Sequence, residues 1–391
     1  MKHKKYYLLV VFIFIQICST FFSVTYTTVK AETADEQLNE SIHEMLNVLD
    51  LKELQAYVDG LSDISEESVK DRLLAYIKGS PMDYERFWSE ISHVLFKNIG
   101  DIIPAFACIA AIALLSGVLS TLHSGSTMRT STETTFLISY AAALIPLIAV
   151  LIECFEKSLR SVGEMQTQMQ IIYPLLLTLM AASGGTLSAS VCRPAVAFFS
   201  TTIVSVIRSV VFPLTVAIIA FSMAANLSKE LKMNKFTTFF KSINKWIIGI
   251  CVSVFGLFFT LQGITVATYD GVARRAAKYA IGNGIPIVGG FLSGGFDLAV
   301  AGSILIKNSL GSMSIFLLIS VVFEPVILLI SCNLLLRFTA AISQPFGDSR
   351  ISDFLGETAE NLHYCTAGLL FIAFLYFLSI MLMVSTSEIF L

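Results

Sequence analysis

From residue 99 onward the apolar positions gather in runs of about 20 residues, the length that crosses a bilayer as a helix. Six runs are clear: 102–122, 136–155, 210–227, 246–269, 312–336 and 364–385. Three more, 171–191, 194–207 and 285–305, are interrupted by glycine, proline or a charge. The pattern predicts an all-α, polytopic transmembrane helical bundle of six to eight spans, some of them interrupted or re-entrant. Pro104, Pro146, Pro213 and Pro325 lie inside spans and are expected to kink them. Residues 32–98 differ. They are acidic, and Leu38, Ile42, Met45, Leu46, Leu49, Leu54, Val58 and Leu61 recur at helical spacing. That spacing predicts two or three amphipathic helices, too small for a large core of their own.

The first 31 residues read as a signal peptide. Lys2, Lys4 and Lys5 precede the apolar stretch Tyr6 to Ile17, and Val29-Lys30-Ala31 suits cleavage. An uncleaved anchor is the other reading, because the apolar run continues through Phe21 and Phe22. Either way, the chain divides into 1–31, an extracytoplasmic region 32–98 and a membrane domain 99–391. Lysine and arginine set orientation. The lysine-rich stretch Ser228 to Lys245 is expected in the cytoplasm, and the acidic stretch after Arg337 outside. The C-terminus then returns to the cytoplasm. Arg274, Arg275 and Lys278 resist this scheme.

Composition narrows the class. The chain is 55% hydrophobic and 14% charged, against about a quarter charged in globular proteins. A formal net charge of -3 argues against a nucleic-acid partner. The seven cysteines sit in or beside apolar runs without CxxC spacing, which reads as packing rather than a disulfide framework or zinc site. His43-Glu44 starts an HExxH-like string that does not complete. No phosphate-loop string is present, so energy comes from a partner or a gradient. No cofactor, metal or catalytic residue is expected.

The candidate chemistry lies where ionisable or irregular residues enter apolar runs. In lipid, irregular backbone is tolerated only where protein covers it or water lines it. Two segments have this character: Pro174 with Ser183-Gly184-Gly185, and Pro286 with Ser293-Gly294-Gly295. Pro174 and Pro213 stand 39 positions apart, as do Pro286 and Pro325, which raises an internal duplication against coincidence in a sequence rich in small residues. Pro174, Pro213, Pro286 and Pro325 are the expected helix breaks. Glu324 sits mid-run beside Pro325 and is a candidate for a cation or proton site, against a plain hydrogen bond to another helix. Arg208 interrupts a run of valines and isoleucines and marks a turn or lines a cavity. Asp297 and Lys307 read as span-end anchors.

These strings carry a resemblance. Tyr173-Pro174-Leu175 through Ser183-Gly184-Gly185-Thr186-Leu187-Ser188-Ala189 resembles stage III sporulation protein AE of endospore-forming bacteria. Gln262-Gly263, Asp270-Gly271-Val272, Arg275-Ala276-Ala277-Lys278, Gly282-Asn283, Ile285-Pro286, Ser303 to Asn308 and Gln344-Pro345 continue it in order. Residues 32–98 agree only in character. The resemblance implies a multi-pass protein of the mother-cell membrane around the forespore. It implies a part in a secretion-like channel complex with other proteins encoded beside it, among them a secretion-type ATPase and ring-forming proteins. A forespore membrane protein across the intermembrane space is the further implied partner. No catalytic residue carries over. Gly184, Gly185, Gly294, Gly295, Glu324 and Arg208 are the expected conduit or gate positions. Two other readings stay open: a secondary transporter using Glu324, and a non-conducting scaffold.

Overall fold

The computed structural model describes residues 32–60, 68–79, 84–123, 129–227, 234–284, 289–345 and 349–385. The proposed signal peptide and Pro286 lie outside these residues. Three short helices come first: α1 (Glu32–Val48), α2 (Lys52–Asp59) and α3 (Val69–Ile77). Long helices follow as α4 (Tyr84–His123) and α5 (Arg129–Ala182). Next come α6 (Thr186–Phe198), α7 (Val204–Val206) and α8 (Phe212–Leu227), joined by π-helical turns at Phe199–Ile203 and Ile207–Val211. The last three are α9 (Asn234–Gly284), α10 (Gly289–Ser343) and α11 (Ser349–Ser385). Among the described residues six helical segments are long and apolar enough to span a membrane: Phe96–Leu119, Glu133–Ala182, Thr186–Leu227, Lys235–Thr260, Asp297–Ser343 and Arg350–Ser385. The all-α polytopic expectation holds, at the lower span number.

Among the described residues the interrupted runs belong to longer helical segments: 171–182 ends α5, 186–207 runs from α6 into the π turns, and 289–305 opens α10. α5 has 54 residues, about 80 Å at roughly 1.5 Å per residue, against a hydrocarbon core of roughly 30 Å. Pro146 and Pro174 both lie inside it, and Pro325 lies inside α10. The expected breaks at Pro174 and Pro325 therefore do not occur. A proline removes one backbone bond, and neighbouring helices and local adjustments compensate within a packed membrane bundle. Pro213 follows directly on the second π turn. There the helix widens rather than stops, so Arg208 marks a π turn and not a chain reversal.

The one described break inside the interrupted segments is at Ser183-Gly184-Gly185. Gly184 has φ 94, a conformation that disfavours any side chain. Its N–H reaches the Ala181 carbonyl at 3.1 Å, and that of Gly185 reaches Met180 at 2.9 Å. This pair of bonds is the Schellman motif, which closes a helix. Here it turns α5 into α6. Gly294 and Gly295, their counterparts in the suspected duplication, lie instead within α10. The two Ser-Gly-Gly strings therefore differ in structure.

Side-chain pairs fix the helix directions. α5 and α10 run antiparallel: Ser161 Oγ donates to the Val321 carbonyl at 3.0 Å, and Gln168 Nε2 to that of Leu317 at 3.2 Å. α10 and α11 form a hairpin, with Ser352 Oγ on the Ala340 carbonyl at one end and Gly311 against Val384 towards the other. α5 and α11 are parallel, through Tyr140–Phe354 and Tyr173–Tyr376 ring contacts. α8 returns against both: Tyr140 Oη donates to the Met223 carbonyl at 2.8 Å, and Phe155 meets Phe212. α9 antiparallels α6 to α8 through Asn244–Thr215 and Phe255–Phe199. The buried core follows the whole length of α5, from Phe136 and Tyr140 through Leu147, Cys154, Met165 and Ile172 to Met180.

The helices alternate in direction, so the last residues of α4, α8 and α10 and the first of α5, α9 and α11 share one end. The α5–α6 turn and the last residue of α11 share the other. α1 packs there too: Ser303 Oγ lies 3.4 Å from Met45 Sδ, and Met45 and Ile42 fill the space over Gly302. The amphipathic reading of 32–98 explains this docking, because the buried residues Ile42, Leu46, Leu54, Val58, Val69 and Leu73 join the main core.

This packing corrects the expected orientation. The lysine-rich stretch and the acidic stretch lie at the same end, joined by Lys241 and Glu360 at 3.8 Å. Among the described residues the six segments alternate in direction, so the close of α11 lies at the same end of the bundle as α1. In a cysteine-free background, single cysteines at Leu227 and Gln344 are expected to react with an impermeant thiol reagent from one side of the membrane. Those at Asp50 and Ser385 are expected to react from the other. Labelling of Gln344 and Ser385 from the same side would contradict the alternation.

Candidate functional site

The middle of α5 is polar. Between its two apolar stretches it carries Glu153, Glu156, Lys157, Arg160 and Glu164. The spacing of Glu153 and Lys157 places them one turn apart on one face. Lys157 Nζ lies 3.0 Å from Glu153 Oε1 and 2.9 Å from Glu324 Oε1 on α10, and donates to Asn98 Oδ1 on α4 at 3.2 Å. Glu324 is thus half of an ion pair that ties α5 to α10, with its side chain 48% exposed. The value of the pair is positional: one ammonium joins three helices at the same height.

Arg208 sits one helix away. Its guanidinium Nη1 lies 3.6 Å from where a Cβ on Gly163 of α5 would stand. The absent side chain leaves room for the arginine, and the π turn presents it outward. No ion pair between Arg208 and Glu324 occurs among the described residues. The other expected gate positions lie apart from this pair. Gly184 and Gly185 form the turn beyond the far end of α5. Gly294 and Gly295 precede Glu324 on the same continuous helix by about 45 Å at roughly 1.5 Å per residue. Pro174, Pro213 and Pro325 are spread along three helices. The structure does not gather these residues into one site.

Lys307, expected as a span-end anchor, is wholly buried within α10. Asp297 opens the apolar segment of α10. Of the cysteines in described residues, Cys154, Cys192, Cys251, Cys332 and Cys365 are buried thiols and Cys108 is exposed. That agrees with their reading as packing residues. Among the described residues no three histidine, cysteine or carboxylate side chains converge as metal ligands.

A second polar layer lies nearer the α10–α11 connection. Asn333 Nδ2 donates to the Ala359 carbonyl, Arg337 Nε donates to Asn333 Oδ1 at 2.9 Å, and Arg337 Nη2 lies 3.2 Å from His363 Nε2. Glu357 accepts from Ser222 Oγ and, at 3.0 Å, from Asn226 Nδ2. Sequence reasoning assigned this stretch to an outside loop and missed it. The signal was present, because Glu357 and Asn361 stand one turn apart just before a long apolar run. Where α2 meets α5, Gln168 Nε2 donates to Tyr57 Oη at 2.9 Å, and burial raises the Tyr57 phenol above its ordinary value.

Six long apolar segments, antiparallel packing and charged side chains paired between helices define a polytopic helical membrane protein. Within that class the chain belongs to the stage III sporulation protein AE family, whose profile matches residues 68–387. It is similar to the stage III sporulation protein AE of Bacillus subtilis (strain 168), 25% identical over 331 residues, covering 82% of this chain and 81% of that one. No solved structure matches the chain. The family makes this a sporulation protein.

Proposed function

We propose that the chain is the membrane component of a secretion-like channel complex between mother cell and forespore, needed for late forespore gene expression and spore formation. The observation that carries the reading is the family match, which spans the membrane domain from α4 to α11. The protein sits in the mother-cell membrane around the forespore. Its role is assembly and passage rather than catalysis.

The architecture supports a division of labour between the two ends. The end with α1 to α3 and the close of α11 faces the intermembrane space, where ring-forming proteins and a forespore membrane partner meet it. The opposite end collects three connections and the lysines Lys235, Lys241 and Lys245. It faces the cytoplasm and a secretion-type ATPase. The core is filled with apolar side chains along α5, so the chain forms part of a wall. A bore, on this reading, lies between subunits of the assembly.

Affinity purification of the full chain from sporulating cells tests the assembly. The ATPase and the ring-forming proteins are expected to copurify from mild detergent. Their absence after chemical cross-linking in intact cells would remove the complex from the account.

A further inference from the structure

Glu357 differs from its neighbours among the carboxylates of the membrane segments. Glu153 and Glu324 share Lys157, and Glu360 reaches Lys241. Among the described residues no cationic nitrogen lies within ion-pair distance of Glu357. Its partners are neutral: Ser222 Oγ and Asn226 Nδ2 on α8, both donating to the same carboxylate oxygen. A carboxylate with only neutral partners at the entry to an apolar membrane run is costly where it is cut off from water, and such a position is a functional candidate.

Its surroundings make that cost larger. Ser222, Met223 and Asn226 lie in the last turns of α8, which ends at Leu227. A helix C-terminus carries partial negative charge, so it repels a carboxylate and attracts a cation. Oxygen atoms accumulate at the same place. Asn226 Nδ2 also donates to the Ser222 carbonyl at 2.9 Å, and Tyr140 Oη is fixed on the Met223 carbonyl at 2.8 Å. One turn further along the same face of α11 is Asn361. Its side chain is wholly buried, and among the described residues neither amide atom has a hydrogen-bond partner. A buried amide is costly to leave unsatisfied unless something binds it.

We propose that Glu357, Ser222, Asn226 and the Met223 carbonyl form an oxygen-lined site for a small monovalent cation of the sodium type, with Asn361 supplying a further oxygen. Small hard cations take oxygen ligands, and affinity follows the number of charged ones. One carboxylate matches one positive charge. A divalent ion would find too little charge here, because Asp353 on the preceding turn is exposed and Glu360 on the following turn is taken by Lys241. Arg350, two turns before Glu357, is held over the Phe136 ring at 3.4 Å. The site is separate from the Lys157–Glu324 pair, and it moves the expected ion-binding carboxylate from Glu324 to Glu357. The proposal does not depend on the sporulation reading.

Radioactive sodium binding to the purified full-length protein tests it. Wild type and Glu133→Gln are expected to bind sodium saturably at one site, and Glu357→Gln to bind at least tenfold more weakly. Sodium chloride is expected to raise the melting temperature of wild type over choline chloride at equal ionic strength, and not that of Glu357→Gln. Should Glu357→Gln fail to fold, Ser222→Ala and Asn226→Ala are expected to weaken sodium binding in the same assay. No saturable sodium binding by wild type would overturn the site. So would a stabilisation of wild type by lowered pH alone, or an unchanged affinity in Glu357→Gln.

Discussion

Gly311→Ala is expected to destabilise the protein by about 1–3 kcal/mol, the usual cost of overfilling a packed core. A Cβ at Gly311 would overlap Val384 Cγ2, with Ile380 Cγ2 at 3.7 Å. Valine is stiff about χ1, so its methyl cannot swing clear as the end of a methionine could. The relief available is a shift of α11 away from α10. Those two helices form the hairpin on which Arg337, Asn333 and Ser352 depend, so the damage reaches the second polar layer. Gly356→Ala is the matched control on the partner helix. Nothing lies within 4 Å of its Cβ position, and alanine stabilises a helix by roughly 0.5–1 kcal/mol over glycine. Thermal unfolding of the two variants in one detergent is expected to move in opposite directions. A common direction would mean that the α10–α11 contact is not tight at Gly311.

Much of the fold was legible in the sequence. The six long apolar runs each overlap a different one of the six membrane-length helical segments among the described residues, although 102–122 and 246–269 extend past the ends of theirs. The described residues between 32 and 77 of the acidic stretch fold as short helices, α1 and α3 against α10 and α2 against α5, while residues 84–98 open α4. Three features were not legible, for related physical reasons. Reading in spans of about 20 residues cut α5 and α10 into pieces, since Pro174 and Pro325 look like stops when neighbouring helices are out of view. Ser183-Gly184-Gly185 read as a membrane interruption, yet the positive φ of Gly184 serves a Schellman turn. Charge counting put the Ser228–Lys245 and post-Arg337 stretches on opposite sides, although Lys241 and Glu360 meet in space.

The site was less legible than the fold. Glu324 was visible as a charge beside a proline, but its meaning rests on Lys157, far away in the chain. Isolated charges in apolar helices point to partners without naming them. Glu357 was visible as well, and the loop assignment of its segment hid it. Arg208 announced itself by its charge. The π turn that presents it and the space at Gly163 appear only with the packing.

Deleting the gene in its spore-forming host tests the central claim most directly, and its expected effect is the largest of all. If the chain is a membrane component of the mother cell–forespore complex, engulfment completes, a late forespore reporter stays dark and heat-resistant spores are lost. A copy of the gene supplied in the mother cell then restores both readouts. Normal numbers of heat-resistant spores with an active reporter would contradict the account.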